Sequence, residues 1–268
     1  MIQIILALII ILLGFLVFHY NPINRVNTKD IVLASIFIMI TLVCKRFFTI
    51  MIPLFGSESL KIGIEYIPAM IAGYFLSPSY AFLVGLCIDL LGLIIVPTGF
   101  PFFGFTLTMI LVVLIPSLIR KYTRHINETK IGYFSSLLII LIAIIASIYI
   151  YSLDSMVLTD SVYELTYTNK FLLIGVCLLL SVAYLLLIRI LKKRINGNEA
   201  KQFSVWTLCV TLVELICTLC LTPLWLEIMY GIPFVVSLCV RIIKLCIVLP
   251  LEILVGFPVI KIIKKYMY

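Results

Sequence analysis

Four charged side chains lie inside apolar stretches of this sequence, where a charge is costly. Asp89 stands in SYAFLVGLCIDLLGLIIV and Glu214 in TLCVTLVELICTLCL, whereas Arg241 and Lys244 share FVVSLCVRIIKLCIVLPLEIL. Charged side chains are expensive inside a bilayer, so those that occur there face a partner or an internal cavity. Two acids and two bases of this kind predict either a clasp that holds helices together or the floor of a ligand pocket.

The elements that must position these charges are membrane helices. The chain has 268 residues, of which 64% are hydrophobic and 12% are charged, whereas soluble domains carry about 25% charged residues. Since a membrane helix needs about 20 predominantly apolar residues, the sequence predicts an all-α fold, a polytopic membrane helix bundle. Apolar runs of helical length occur at 2–19, 31–48, 63–76, 80–96, 104–119, 133–151, 170–191, 204–222 and 234–260.

The distribution of basic residues predicts the orientation of the bundle. Basic residues concentrate in the segments 20–30, 120–130, 189–201 and 261–265, which the span count places on one side of the membrane. That side is cytoplasmic by the positive-inside rule. The C-terminus is then cytoplasmic and the N-terminus is outside. The net charge of +8 therefore reflects the orientation of the chain in the lipid bilayer and does not indicate nucleic-acid binding.

Other chemistries find little support in the sequence. Cys217 and Cys220 form a CxxC motif without a second pair or a nearby histidine, so no metal site is predicted. The spans contain no cluster of carboxylates that would hold Mg²⁺ for lipid-phosphate or prenyl chemistry. We therefore predict no cofactor, no catalytic residue and no enzyme activity.

Depth counted along the predicted helices places the four charges together. At the α-helical rise, Asp89 and Arg241 lie about 10 Å below the predicted outer ends of their helices, Glu214 about 12 Å and Lys244 about 15 Å. This layer predicts that Arg241 or Lys244 pairs with Asp89. Glu252, beyond Pro250 in the last run, is predicted near the cytoplasmic end.

Three outer loops rich in aromatic residues and glycine are predicted to converge above this layer. They are RFFTIMIPLFGSESLKIGIEY, VPTGFPFFGFTLT and LTPLWLEIMYGIPF. Cations there can meet carboxylates and aromatic rings can stack on a flat ligand, so the loops and the layer predict a site for an anionic compound. The candidate ligand-binding residues are Arg46, Lys61, Phe102, Phe103, Trp225, Tyr230, Arg241 and Lys244.

Two pairs of small residues predict close helix packing. Ala69 with Gly73, and Ala81 with Gly85, have the small-xxx-small spacing that lets membrane helices approach one another. Because the two runs are joined by a short turn at 77–79, the sequence predicts that these two helices pack against each other.

Six motifs, in this order, resemble the substrate-binding S components of energy-coupling factor (ECF) transporters, in particular the folate family. They are RF, LKIGIEYIPAMIAG, SPSYAFLVGLCIDLLG, FFGFTLT, PLWLEIMYGIPF and RIIKLCIVLPLEI, and the resemblance covers 31–120 and 203–265. It implies a six-helix core in a bacterial cell membrane that captures a vitamin from outside. It also implies two kinds of partner, a transmembrane coupling protein and two cytoplasmic ATPases.

The resemblance also divides the chain. Core helices would occupy 29–122 and 203–268, with an extra N-terminal helix and linker at 1–28 and an inserted helix pair at 123–202. The family carries small residues four apart where it meets the coupling protein, a place that Ser35 and Met39 take here. Because Met39 is bulky and three helices are extra, a second function stays open: a non-transporting membrane scaffold or accessory subunit derived from the same family.

Overall fold

A computed structural model describes residues 2–23, 26–54, 57–95, 101–152, 155–158, 161–164, 166–193, 195 and 198–267. Its helices confirm the predicted all-α polytopic bundle, because each predicted apolar run coincides with one. Six helical stretches of the described chain are long and apolar enough to cross a membrane. The helices are α1 (Ile2–Tyr20), α2 (Thr28–Phe47), α3 (Tyr66–Phe75), α4 (Pro78–Ile95), α5 (Phe103–Tyr122), α6 (Glu128–Ser152), α7 (Tyr167–Lys193), α8 (Asn198–Val213), α9 (Thr222–Tyr230) and α10 (Phe234–Met267).

Two short hairpins and two irregular helical segments complete the described elements. β1 (Thr49–Leu54) pairs with β2 (Ser57–Gly63), and β3 (Ser155–Leu158) pairs antiparallel with β4 (Ser161–Glu164). The β1–β2 hairpin lies in the first predicted outer loop, and the β3–β4 hairpin lies between the predicted apolar runs at 133–151 and 170–191. A 3-10 turn (Thr123–His125) follows α5, and a π-helix (Glu214–Leu221) joins α8 to α9.

Contacts divide the chain into two compact units. The first comprises residues 1–50, 62–124 and 258–268, and the second comprises 51–61 and 125–257. Their bounds do not coincide with the four segments predicted from the resemblance, whose division into a core and extra helices stays a prediction.

In the first unit, α3 and α4 both pack on α5. A Cβ atom at Gly73 would lie 1.9 Å from the carbonyl oxygen of Val113, and one at Gly85 would lie 2.6 Å from the Cα of Ile110. Only glycine permits such close approach of two backbones. The small residues therefore do bring helices together, but the predicted partner was wrong, because both glycines face α5 and not each other.

The turn between α3 and α4 is held from the far end of α5. Leu76 leaves the helix in an extended conformation, and Pro78 opens α4, where a missing N–H costs nothing. Arg120 on α5 donates to the backbone oxygens of Tyr74 and Phe75, and its guanidinium lies 5.3 Å from the Tyr74 ring centroid. A cation at the C-terminus of α3 satisfies carbonyls that have no partner within that helix.

The N-terminal helix α1 runs alongside α5 in the same direction. At one end the Gln3 side chain donates to the Pro101 oxygen at 3.2 Å and accepts from the Phe103 N–H at 3.2 Å. At the other end the Lys121 ammonium donates to the Asn21 side chain. This parallel arrangement agrees with the predicted topology, in which α1 and α5 start on the same side of the membrane.

The second unit is built on contacts among α6, α7, α8 and α10. Lys192 near the end of α7 forms a 2.9 Å ion pair with Glu128 at the start of α6. The Tyr184 and Thr211 hydroxyls link α7 to α8 at 3.2 Å, and the indole N–H of Trp206 donates to the Glu252 carbonyl of α10 at 3.2 Å. These bonds attach α7 and α10 to α8, and the ion pair joins α6 to α7.

Helix α9 extends further than the sequence predicts. The run at 204–222 was expected to end before Pro223, with a loop over 223–233. Pro223 instead lies in the first turn of α9, where proline is tolerated, and the helix continues to Tyr230. It ends at Gly231, whose φ of 66° is left-handed and whose N–H donates to the Glu227 oxygen at 3.0 Å.

Candidate functional site

Asp89 is buried in the first unit and has a specific partner there. Its side chain is 5% exposed, and its Oδ2 accepts a hydrogen bond from the Thr106 hydroxyl at 2.6 Å. That length is typical of a hydroxyl bound to a carboxylate. The bond joins α4 to the first turns of α5, directly above the close contact of Gly85 with α5. The predicted pairing of Asp89 with Arg241 or Lys244 stays a prediction.

We expect Asp89→Ala to destabilise the protein by about 1–3 kcal/mol, because it removes the acceptor of a buried hydrogen bond. Asp89→Asn should cost less, since the amide oxygen can still accept from Thr106. Thermal unfolding of Asp89→Ala, Thr106→Val and the double variant in detergent measures the coupling. Additive losses would show that the two side chains do not stabilise one another.

The remaining candidates of the first unit differ in exposure. Phe102 is 6% exposed and packs edge-on against Phe105 with the ring centroids 5.8 Å apart, whereas Phe103 is 43% exposed. Arg46 is exposed in the last turn of α2. Phe103 and Arg46 are therefore accessible, while Phe102 supports α5. The predicted Lys61 side chain and residues 96–100 of the second loop lie outside the described residues.

In the second unit, the buried residues Arg241, Glu214 and Glu252 form a polar cluster with Lys244, which is half-buried. Arg241 is 6%, Glu214 2% and Glu252 1% exposed. Lys244 interacts electrostatically with both carboxyl groups, and Arg241 interacts with Glu214. Arg241 also donates from Nε to the Ser237 hydroxyl at 3.3 Å, one turn earlier on α10. We call these four charged residues the buried charge cluster.

Counted along their helices, the four charges lie at different distances from the helix ends and do not form a single layer. Because α9 ends at Tyr230, Glu214 lies sixteen residues, or about 24 Å, from the end of its helical run, and not the predicted 12 Å. Arg241, Lys244 and Glu252 lie about 10, 15 and 27 Å from the start of α10. Glu252 and Glu214 interact, and both lie near the middle of their helical runs. The predicted place of Glu252 near the cytoplasmic end stays a prediction.

The two carboxyl groups of the cluster are incompletely satisfied. They face each other, and Thr218 donates to Glu214. Nevertheless, Glu214 Oε2 and both side-chain oxygens of Glu252 have no partner with good hydrogen-bond geometry among the described residues. Glu214 also begins the π-helix. Such a segment widens the turn and is frequent at functional sites.

The two aromatic candidates of the second unit lie on α9. Trp225 is 6% exposed and Tyr230, the last residue of the helix, is 53% exposed. Trp225 lies five residues, or about 8 Å, below the end of α9, which matches the depth of Arg241 along α10. Trp225 and Arg241 therefore lie at comparable distances from the connected ends of α9 and α10.

Sequence reasoning missed two members of this chemistry. Thr106 carried no signal, because its contact with Asp89 depends on how α4 and α5 pack. Glu252 did carry one, since Lys244, Val248 and Glu252 recur every four residues and share one face of α10. The four-residue spacing therefore predicts that Glu252 lies near Lys244, which its distance from the end of the chain does not indicate.

These observations define a polytopic α-helical membrane protein with buried charges. No family model matches the chain, and no curated protein matches it. Among solved structures, it is similar to one titled "Crystal structure of FolT bound with folic acid". That likeness has 20% sequence identity and a TM-score of 0.49, and it covers 86% of this chain and 93% of the other.

Proposed function

We propose that the protein is the substrate-binding S component of an ECF-type importer. In this role it captures a folate-like or similarly anionic small vitamin from outside the cell. A transmembrane coupling protein with two cytoplasmic ATPases would then drive uptake. The six ordered motifs support the family, and the buried residues Arg241 and Trp225 of the second unit support the ligand class.

One observation supports the ligand class: Arg241 and Trp225 are both buried in the second unit, each within about two turns of the connected ends of α10 and α9. A guanidinium binds a carboxylate through two parallel hydrogen bonds, and an indole stacks on a flat ring. A compound with an aromatic ring system and a carboxylate uses both. Tyr230 is exposed and is proposed as a contact at the mouth of this site. Phe103 and Arg46 are exposed in the first unit and stay predicted ligand contacts.

The buried carboxyls explain how these cations stay in place without a ligand. Glu214 interacts with both the buried Arg241 and the half-buried Lys244, so each cation has an acidic partner. An unpaired charge at this depth would be costly. We infer that an anionic ligand adds a second partner to Arg241 on the outer side, while Glu214 and Glu252 hold Lys244 from below.

A panel of vitamins that differ in charge tests this proposal. Calorimetry on the protein in nanodiscs should show tight binding of folate, which carries two carboxylates and a flat pterin ring. Uncharged riboflavin and cationic thiamine serve as controls and should bind at least 100-fold more weakly. Thiamine as the best ligand would contradict the role proposed for Arg241.

The proposed partner interface lies on α2. Met39 is 62% exposed, and Ser35 is exposed with its hydroxyl bonded to the Ile31 oxygen at 2.9 Å. Because the Ser35 hydroxyl already donates to the backbone of its own helix, Ser35 can pack against an apolar partner helix without losing a hydrogen bond. A small residue at position 39 would allow a closer approach.

We therefore expect Met39→Ala to strengthen assembly with the coupling module several-fold and Ser35→Leu to weaken it at least tenfold. Co-purification of the module with each variant measures this, and vitamin binding should stay unchanged in both. Ile36→Ala, a neighbouring exposed position, controls for general loss of side-chain volume. Equal assembly in all of these variants would place the interface elsewhere.

The second candidate function is a non-transporting scaffold or accessory subunit. The exposed Met39 favours it, because a bulky side chain at this position obstructs the close contact that coupling needs. Binding of the vitamin without assembly would indicate a degenerate interface. Assembly without vitamin binding would support the accessory subunit.

A further inference from the structure

Two carboxyl groups of the second unit are buried against each other. Glu214 begins the π-helix and Glu252 lies on α10, and both are almost completely enclosed. Their side chains lie within hydrogen-bonding reach of one another. We call these two residues the glutamate pair. Like charges in such close contact repel each other strongly when both are ionised.

Three of the four carboxyl oxygens of the glutamate pair have no hydrogen-bond donor. Among the described residues, Glu214 Oε2 and both side-chain oxygens of Glu252 have no partner, and protein atoms enclose all three. An ionised carboxylate is an acceptor only, and its burial without donors is strongly unfavourable. Two ionised carboxylates at this place would therefore combine repulsion with missing hydrogen bonds.

The groups around the glutamate pair do not supply the missing donors. The charged and titratable side chains that interact with it in the described part of the chain are Arg241 and Lys244 of α10, Cys217 of the π-helix and Tyr184 of α7. The Tyr184 hydroxyl lies 3.2 Å from that of Thr211. Neither cation donates to Glu252 with good hydrogen-bond geometry. Two simple ion pairs therefore do not explain this arrangement.

We propose that the glutamate pair is a proton-binding site, in which the two carboxyl groups share one proton. The protonated group then donates to the other, which removes the repulsion and gives the enclosed oxygens a hydrogen bond. A proton also fits the available space, whereas Mg²⁺ or Ca²⁺ would need about six oxygen ligands. Within the described ranges, no group of three acidic, histidine or cysteine side chains could hold a metal ion.

The shared proton sets the charge of the buried charge cluster. With the proton in place, two cations face a single carboxylate, and the cluster has a net positive charge. With both carboxyl groups ionised, the cluster would be neutral. The use of this charge rests on the proposed function: a positive cluster favours an anionic ligand at Arg241.

Infrared spectroscopy tests the shared proton in the absence of any vitamin. The C=O stretch of a protonated carboxyl group is separate from the carboxylate bands, and an ester-free detergent avoids the carbonyl signal of lipids. We expect the unaltered protein at neutral pH to show a protonated carboxyl band that Glu252→Gln removes. The remaining Glu214 should ionise in that variant, because it keeps Lys244 and Arg241 as charged partners.

Two further variants complete this experiment. Glu214→Gln should remove the same band, and its amide, like that of Glu252→Gln, can donate to the remaining carboxyl. Either variant suffices if thermal unfolding shows that the other is not folded. Glu227→Gln, at an exposed position of α9, should leave the band unchanged.

Two results would overturn the shared proton. One is an unaltered protein without a protonated carboxyl band, and the other is a band that persists in a folded variant of the glutamate pair. Both results leave vitamin capture standing, because no vitamin enters the measurement. A band that behaves as expected in a protein that binds no vitamin would contradict the proposed function alone.

Discussion

Replacing Arg241 with methionine is expected to weaken vitamin binding by at least about 30-fold, because truncating one member of a buried charge pair costs about 2–5 kcal/mol. Methionine keeps most of the length and apolar contact of the arginine stem, so the loss reports the guanidinium. Calorimetry with folate measures the effect. Thermal unfolding of the same sample shows whether the variant is folded, since Glu214 retains Lys244 as a charged partner.

Two further variants separate binding from general loss of charge. Arg189→Met, on an exposed position of α7, should leave folate affinity unchanged. Arg241→Lys should recover only part of it, since an ammonium cannot form two parallel bonds to a carboxylate. Unchanged affinity in a folded Arg241→Met protein would remove Arg241 from the vitamin site.

Substituting Gly73 with alanine is expected to be among the most destabilising single changes in the first unit. The new Cβ would lie 1.9 Å from the Val113 oxygen and 2.8 Å from the Val113 carbonyl carbon. Backbone atoms cannot move aside as a flexible side chain can, so α3 must separate from α5. Overpacking of this kind costs about 1–3 kcal/mol, and occasionally more. The melting temperature in detergent measures the loss.

Gly175 provides the matched control for this prediction. It lies within α7, and a Cβ there would meet nothing within 4 Å among the described atoms. Gly175→Ala should therefore keep or raise the melting temperature, as expected from the higher helix propensity of alanine. A fall of equal size in both variants would show that backbone flexibility, and not the α3–α5 contact, explains the effect.

The helices could be predicted because hydrocarbon imposes a length and an apolar composition on each of them. The predicted helix ends were wrong where the local backbone chemistry, and not hydropathy, determines where a helix stops. Pro223 looked like the end of a helix, but its position in the first turn of α9 lets the helix continue. Sequence periodicity contains no comparable signal for the π-helix that precedes it.

The candidate site was predictable in its residue types but not in its partners. The apolar surroundings of Glu214, Arg241 and Lys244 were enough to predict a buried cluster, and the structure brings these three together. Their relative depth was wrong because it was counted from a misplaced helix end. The contact of Asp89 with Thr106, like the packing of Gly73 on α5, depends on the rotation of one helix against another, which hydropathy does not determine.

The most direct test of vitamin capture is mass spectrometry of the small molecules released from the chain after gentle detergent extraction. We predict folate or a reduced folate at close to one molecule per protein, and its absence from an Arg241→Met preparation. A protein that releases no vitamin, and then binds no member of a vitamin panel when reconstituted in nanodiscs, would contradict the proposed function.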